Sequence, residues 1–382
     1  MKKEKIWIWQ DEKYPYFEYD LKQLDSLVES VSRKQGELMA LSKVISKYTF
    51  EQSWVNALEN EIISSSAIEG EFLDRDSVRS SIKEKLEIGA NRNYQGKSKE
   101  SNYVDVLLDA NSNNSTTLTI EKILTWHYKM FENHNLKLWN IEVGNFRQKG
   151  TMQIVSGVVG KEKVYYEAPP QKRLETEIKA YIEWFNNTPA SLIKAAISHL
   201  WFVIIHPFDD GNGRISRLIT DMVLSQLEQS STSRLYSMSK SINSDRKGYY
   251  NALERTTGYI KKDNLLDITF WCEWFLKTLY KALTEAIESI EHIVQKAKFW
   301  DIHRDSSINE RQMKVLNIIL DNGIMHPQSK LTTKKYMKLA KTTSATASRD
   351  IKKLLELGCI EQVEGTRGRN TAYKVIVSQQ QN

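Results

Sequence analysis

His206-Pro207-Phe208-Asp209-Asp210-Gly211-Asn212-Gly213-Arg214-Ile215-Ser216-Arg217 is the stretch that decides how this chain reads. It sets an imidazole, two carboxylates, two glycines and two guanidinium groups between apolar helix-like segments, Ala195 to Ile205 before it and Ile215 to Leu224 after it. A tight turn that ends at a helix N-terminus presents backbone N–H groups and a positive dipole end, a setting that suits phosphate. Gly211 and Gly213 allow a close approach that a Cβ would block. These residues predict a polyphosphate ligand.

Outward from that stretch the chain reads as mainly α-helical. Apolar residues at three- and four-residue spacing run from Leu21 to about Ile88, with stripes Leu24, Leu27, Val28, Val31 and Trp54, Val55, Leu58, Ile62. Thr49 and Gln52 have the spacing of a capping box and place a helix start there. Asn91 to Ser101 is polar and reads as a loop, and helical patterns resume over Asn102 to Asp109 and Ile120 to Phe131. Met152, Ile154, Tyr165 and the Val158-Val159 pair, around Gly157 and Gly160, predict a β-hairpin between Phe146 and Tyr166. Helices follow from Leu174 to Phe185 and, with breaks, through Trp271 to Lys298. Tyr249 and Tyr250 suit either the core or the adenine side of a nucleotide site.

Length and composition bound the rest. The 382 residues suffice for two or three domains, and the expected division is 1–110, 111–298 and 308–382, with the charged stretch Asp301 to Ser307 as a connector. Cys272 and Cys359 lack metal-ligand spacing and read as reduced thiols. No run approaches a membrane span, and Ile6 to Trp9 is too short for a signal-peptide core, so the cytoplasm is the expected compartment and no membrane partner is expected. From Ile308 onward, 13 Lys/Arg stand against 6 Asp/Glu, which leaves the remainder of the chain close to neutral. A polyanion partner for that end, or a solvated lysine-rich face, accounts for the asymmetry.

The run from His206 to Arg217 resembles the Fic-domain signature HPFx[D/E]GNGRxxR at every defined position, with Gly144-Asn145-Phe146-Arg147 and Tyr249-Tyr250 as flanks. The resemblance implies a helical Fic core with a hairpin flap, and transfer of AMP from ATP to a Ser, Thr or Tyr hydroxyl of a protein target, the chain itself included. It implies His206 as general base and Asp210 as ligand of Mg²⁺. Gly211, Asn212, Gly213, Arg214, Ile215, Ser216 and Arg217 would bind ATP, the arginines on its outer phosphates. Doc-like kinases of the same fold carry lysine where this chain has Gly213, so Gly213 points to AMP transfer. The hairpin fits a target-binding flap or a plain structural hairpin. A transcriptional regulator whose core senses nucleotide without turnover is the alternative from a different class.

Ser65-Ser66-Ala67-Ile68-Glu69-Gly70 resembles [S/T]xxxE[G/N], the inhibitory motif of regulated Fic proteins. That likeness implies a helix that aims Glu69 at Arg217, in competition with the γ-phosphate of ATP. The same carboxylate is equally suited to position water for AMP removal.

The basic end resembles a winged helix-turn-helix. Helices are expected over Ile308 to Leu320, Leu331 to Leu339 and Thr343 to Leu357, then strands at Cys359 to Glu364 and Ala372 to Val377. The third helix would offer Ser344, Thr346, Ser348, Arg349 and Lys352 to duplex DNA, with Arg367 and Arg369 in the wing. A protein-docking role for 308–382 and a homodimer are both left open.

Overall fold

Ala195 to Ile205 is apolar on every side, and a helix with that composition has no face for water. In a computed structural model of the chain this stretch is α7 (Leu192–Ile205), opened by the Ser191 hydroxyl, which accepts the Lys194 N–H, and buried along nearly its whole length. The structure describes residues 6–88, 99–112, 117–132, 142–148, 150–156, 163–228, 235–259, 264–321 and 330–376.

The described chain is mainly helical, as expected. It divides into two compact units, one of Met1–Lys43 with Trp54–Thr284 and one of Val44–Ser53 with Glu285–Asn382. In the first, α7 packs along α8 (Asn212–Glu228), with α6 (Leu174–Asn187) against α7. Helices α4 (Lys99–Ser112) and α5 (Ile120–Phe131) lie against α8, and α3 (Arg75–Lys85) against α4. Of the N-terminal helices, α1 (Leu21–Val44) up to Lys43 and α2 (Lys47–Ile68) from Trp54 onward belong with this core, so residues 1–110 do not form a compact unit apart from it. The aromatic N-terminus is held by strand β1 (Ile6–Trp7), antiparallel to β4 (Gly258–Tyr259).

Three expectations move. Helix α2 begins at Lys47, because the Ser46 hydroxyl takes the Thr49 N–H and the Ser46 carbonyl takes the Phe50 N–H; Thr49 is already inside the helix. The polar stretch expected as a loop to Ser101 is helical from Lys99 onward. The C-terminal stretch of the second unit starts at Glu285, inside α11 (Thr269–Ile302), and not at Asp301. The physical reason is Phe299, which is fully buried in the second unit's core with Val315, Leu316, Tyr336, Ile351 and Leu354.

Antiparallel strands β2 (Gln153–Ser156) and β3 (Lys163–Glu167) form the predicted hairpin, with an irregularity between Ile154 and Val155; its tip, Val158-Val159 included, lies outside the described residues. The Tyr166 hydroxyl donates to the Ile204 carbonyl at 2.6 Å, which fastens β3 to the last turn of α7.

The second unit follows the predicted element order. Helices α12 (Glu310–Asp321), α13 (Thr333–Ala340) and α14 (Ser344–Glu356) precede an antiparallel pair, β5 (Ile360–Gln362) and β6 (Tyr373–Val375). Asp350 orients α14 from within. It accepts two bonds from Arg311, at 2.6 and 3.0 Å, and one from the Tyr336 hydroxyl, while its carbonyl accepts from Gln312. Among the described residues no helix is long and apolar enough to cross a membrane.

Candidate active site

Helix α7 ends at His206, whose backbone is left-handed with φ 49°. A non-glycine residue in that region carries a conformational cost that the surroundings must hold. Arg147 does so. Its Nε donates to the His206 carbonyl at 2.8 Å, its backbone N–H to the Pro207 carbonyl at 2.9 Å, and its Nη2 to the Pro169 carbonyl at 2.6 Å. One buried guanidinium thus ties the motif loop to the chain that follows the hairpin.

Asn212 braces the next part of the loop. Its Oδ1 accepts the Phe208 N–H and its Nδ2 donates to the Phe208 carbonyl, at 2.9 and 2.8 Å. Both polar ends of this side chain are therefore spent on the loop. His127 of α5 supplies a third brace. Its Nδ1 accepts the Gly144 N–H at 2.9 Å, so the proton sits on Nε2 and is donated to the Asp210 carbonyl at 3.0 Å. The ring stacks on Phe208 at 3.9 Å between centroids. Gly211, at φ 87°, has no space for a Cβ, which would meet the Phe131 ring at 2.7 Å.

These braces bring His206 and the first turn of α8 together. Gly211 N–H is taken by Asp210 Oδ1, and Ile215 N–H by the Gly211 carbonyl. The first-turn N–H groups of Asn212, Gly213 and Arg214 have no acceptor within the helix, which leaves them available to an acceptor from outside it. The Ser216 hydroxyl turns back to the Gly213 carbonyl at 2.8 Å. His206 Nδ1 lies 3.1 Å from the Val203 carbonyl, an acceptor only, so Nδ1 carries the proton and Nε2 keeps its lone pair. Burial pushes the imidazole pKa down to about 4. His206 is therefore neutral and basic in form at physiological pH.

Both arginines are buried and already paired. Arg217 donates Nε to the Ser65 hydroxyl at 2.8 Å, and Nη2 to the Ser65 carbonyl at 3.0 Å and to Glu69 Oε1 at 2.8 Å. Burial, the largest single influence, opposes its charge, but the Glu69 carboxylate with the Tyr249 and Tyr103 hydroxyls together outweigh it, so its pKa lies above the usual guanidinium range. Arg214 bonds Glu71 at 2.8 Å and Asp210 at 3.1 Å, and its guanidinium lies over the Phe131 ring. Glu69 ends α2. Gly70, at φ 81°, donates to the Ala67 carbonyl, and Glu71 N–H to the Ser66 carbonyl, the paired bonds of a Schellman cap that favours glycine. A Cβ on Gly213 would run into the Glu69 carboxylate, so this glycine leaves room for the acid.

The remaining predicted residues separate. The Tyr249 ring is buried and its hydroxyl is 3.0 Å from His199 Nε2. The Tyr250 hydroxyl donates to the Ile68 carbonyl, as does Arg246, so both fasten the end of α2. The sequence assigns no role to His127, Glu71 or Arg246, and Ser65 enters only as the first position of the inhibitory motif. Arg147 enters only as a flank. The one local signal for His127 was its place beside Trp126 on the apolar face of α5.

Residues 117–224 match the family model described as Fic/DOC family, and residues 7–88 match one described as a domain of unknown function (DUF4172). The Fic/DOC match thus falls on the segment that holds His206 to Arg217. The chain is similar to Protein adenylyltransferase Fic of Nematostella vectensis, 25% identical over 214 residues, 53% of this chain and 46% of that protein. Protein adenylyltransferase fic-1 of Caenorhabditis elegans is 30% identical over 111 residues, 28% of this chain and 19% of that protein. The chain spans less than half the length of these curated relatives. Among solved structures, a Fic family protein from Desulfovibrio desulfuricans G20 aligns with a TM-score of 0.49 at 20% identity, over 93% of this chain and 97% of that one.

The buried histidines set a pH dependence. Burial, the largest cause for each, lowers His127 to about 4 and His199 to about 3 from an ordinary 6.5. Below pH 6.5 the unfolded chain takes up protons that the folded one refuses, so their contribution is complete above about pH 7 and shrinks as pH falls. The expected loss is roughly 1.4 kcal/mol per pH unit for each histidine between about pH 6 and 4. Denaturant titrations over that range check it, and His199→Gln should reduce the slope by one proton equivalent. An unchanged slope in that variant would contradict the assignment.

Proposed function

We propose that the chain transfers AMP from ATP to a hydroxyl of a protein side chain and is held in check by Glu69. The observation that carries this reading is the placement of a neutral His206, its Nε2 without a hydrogen-bond partner among the described residues, at the loop that leads into the open first turn of α8. The N–H groups of Asn212, Gly213 and Arg214 would hold phosphate oxygens, with charge-assisted bonds from Arg214 and Arg217 once their carboxylates withdraw. His206 Nε2 would take the proton of the attacking hydroxyl. The new bond forms between that oxygen and the α-phosphorus, the bond from the α-phosphorus to the bridging oxygen breaks, and pyrophosphate leaves.

Asp210 suits a hard divalent cation that arrives with the phosphates. Its side chain is 45% exposed, it is a single carboxylate, and among the described residues no cluster of three or more His, Cys, Asp or Glu is placed to hold a resident metal. Mg²⁺ bound there would neutralise charge developing on the phosphates.

In the check on activity, Glu69 occupies the guanidinium that an outer phosphate needs. Glu69→Gly should raise label transfer from α-labelled ATP by at least about tenfold, an allowance of roughly 1.4 kcal/mol for one freed ion pair. His206→Ala in that background should abolish the transfer. Absence of label in Glu69→Gly would instead favour a nucleotide sensor without turnover.

For the second unit we propose a duplex-DNA surface on α14. Ala347, Asp350, Ile351 and Leu354 face its core, and Ser344, Ser348, Arg349 and Lys352 are exposed, with Lys334, Lys338, Lys341 and Arg367 exposed beyond them. Affinity for duplex DNA should fall by at least about tenfold as salt rises from about 50 to 200 mM. A lack of binding at the lower salt would contradict this.

A further inference from the structure

The Schellman cap that ends α2 presents two carboxylates, and only the first belongs to the inhibitory motif. Glu71, two residues on, points at the other arginine. Its Oε2 accepts from Arg214 Nη1 at 2.8 Å, and its Oε1 pairs with Lys99 Nζ at the start of α4. Arg214 gives its second terminal nitrogen to Asp210. All three members of the group are largely sheltered, with side-chain exposures of 4% for Arg214, 21% for Glu71 and 28% for Lys99. Burial, and secondarily the nearby Arg214 charge, lower the Lys99 pKa, so Lys99 and Arg214 feel one another and share the carboxylate between them.

Three cations (Arg214, Arg217 and Lys99) face three acids of the same chain, Glu69, Glu71 and Asp210. A magnesium–ATP complex adds about two net negative charges, and a sheltered site tolerates uncompensated charge poorly. Withdrawal of Glu69 alone leaves one negative charge in excess. Withdrawal of both glutamates brings the loaded site to neutrality.

We propose that Glu71 is a second gate on the same turn, holding back two phosphate-binding cations, Arg214 and Lys99. Lys99 then joins the arginines as a ligand of the outer phosphates when Glu71 lets go. This rests on the reading that the first turn of α8 takes ATP.

The test is calorimetric binding of ATP and of AMP, in the presence of Mg²⁺, to the full chain. Five forms serve: wild type, Glu69→Gly, Glu69→Gly with Glu71→Gln, that pair with Lys99→Gln added, and Glu69→Gly with Lys99→Gln. Glutamine at position 71 keeps the shape of the side chain and removes its charge. The double variant is expected to bind ATP at least fivefold more tightly than Glu69→Gly, with AMP unchanged because AMP has no outer phosphates. Adding Lys99→Gln should remove most of that gain for ATP and leave AMP alone. The second gate is refuted if Glu71→Gln leaves ATP affinity the same or weakens it, as a positioning role for Glu71 would. It is refuted equally if ATP and AMP respond alike. Failure of Glu69→Gly itself to bind ATP more tightly than wild type overturns the underlying reading, whereas a gain there with none from Glu71→Gln overturns only the second gate.

Discussion

A buried guanidinium cannot be left alone, and much of the first unit is arranged around that of Arg217. Leaving such a charge uncompensated costs several kcal/mol. Its donors go to the Ser65 hydroxyl, the Ser65 carbonyl and Glu69. Ser65 in turn accepts from the Tyr103 hydroxyl, which links α2 to α4. Glu61, one turn earlier on α2, accepts bonds from Ser237 and Ser239, and Arg246 and Tyr250 hold the Ile68 carbonyl. The last turns of α2 are thus bound on several sides to the unit that carries the motif. This is why the N-terminal helices are part of the core and not a detachable regulatory domain.

The motif itself works largely through its own backbone. Arg147, Asn212 and His127 bond the carbonyls and N–H groups of the turn, so that a left-handed His206 and the open end of α8 share one space. Such bracing makes a site ready before its ligand arrives, which is what electrostatic stabilisation of a developing charge requires. Gly213 serves the same economy of space on the other side, because a side chain there would displace Glu69.

Sequence made the helices legible wherever an apolar stripe met a cap. Ile120 to Phe131 formed as expected, behind the Thr119 cap. The Glu69–Arg217 contact was legible only through the resemblance of two short motifs, since 148 residues separate the partners. Asn212 reads as a phosphate ligand in sequence because its commitment to Phe208 depends on how the turn closes. Tyr249 and Tyr250 look alike in sequence, yet one is buried on His199 and the other tethers α2, a difference that tertiary packing alone creates. The start of α2 was misplaced because two hydroxyl residues, Ser46 and Thr49, both suit a cap. The boundary at Asp301 followed local polarity, whereas Phe299 answers to a core assembled from residues far along the chain.

The central claim is that Glu69 and a nucleotide phosphate exchange places on Arg217. A crystal structure of the Glu69→Gly chain with Mg²⁺ and a non-hydrolysable ATP analogue tests it most directly. The account predicts the α-phosphate at the N–H groups of Asn212, Gly213 and Arg214, an outer phosphate on Arg217, and His206 Nε2 facing the α-phosphorus. A nucleotide bound elsewhere, or Arg217 still turned only to Ser65 with no phosphate on it, would contradict it.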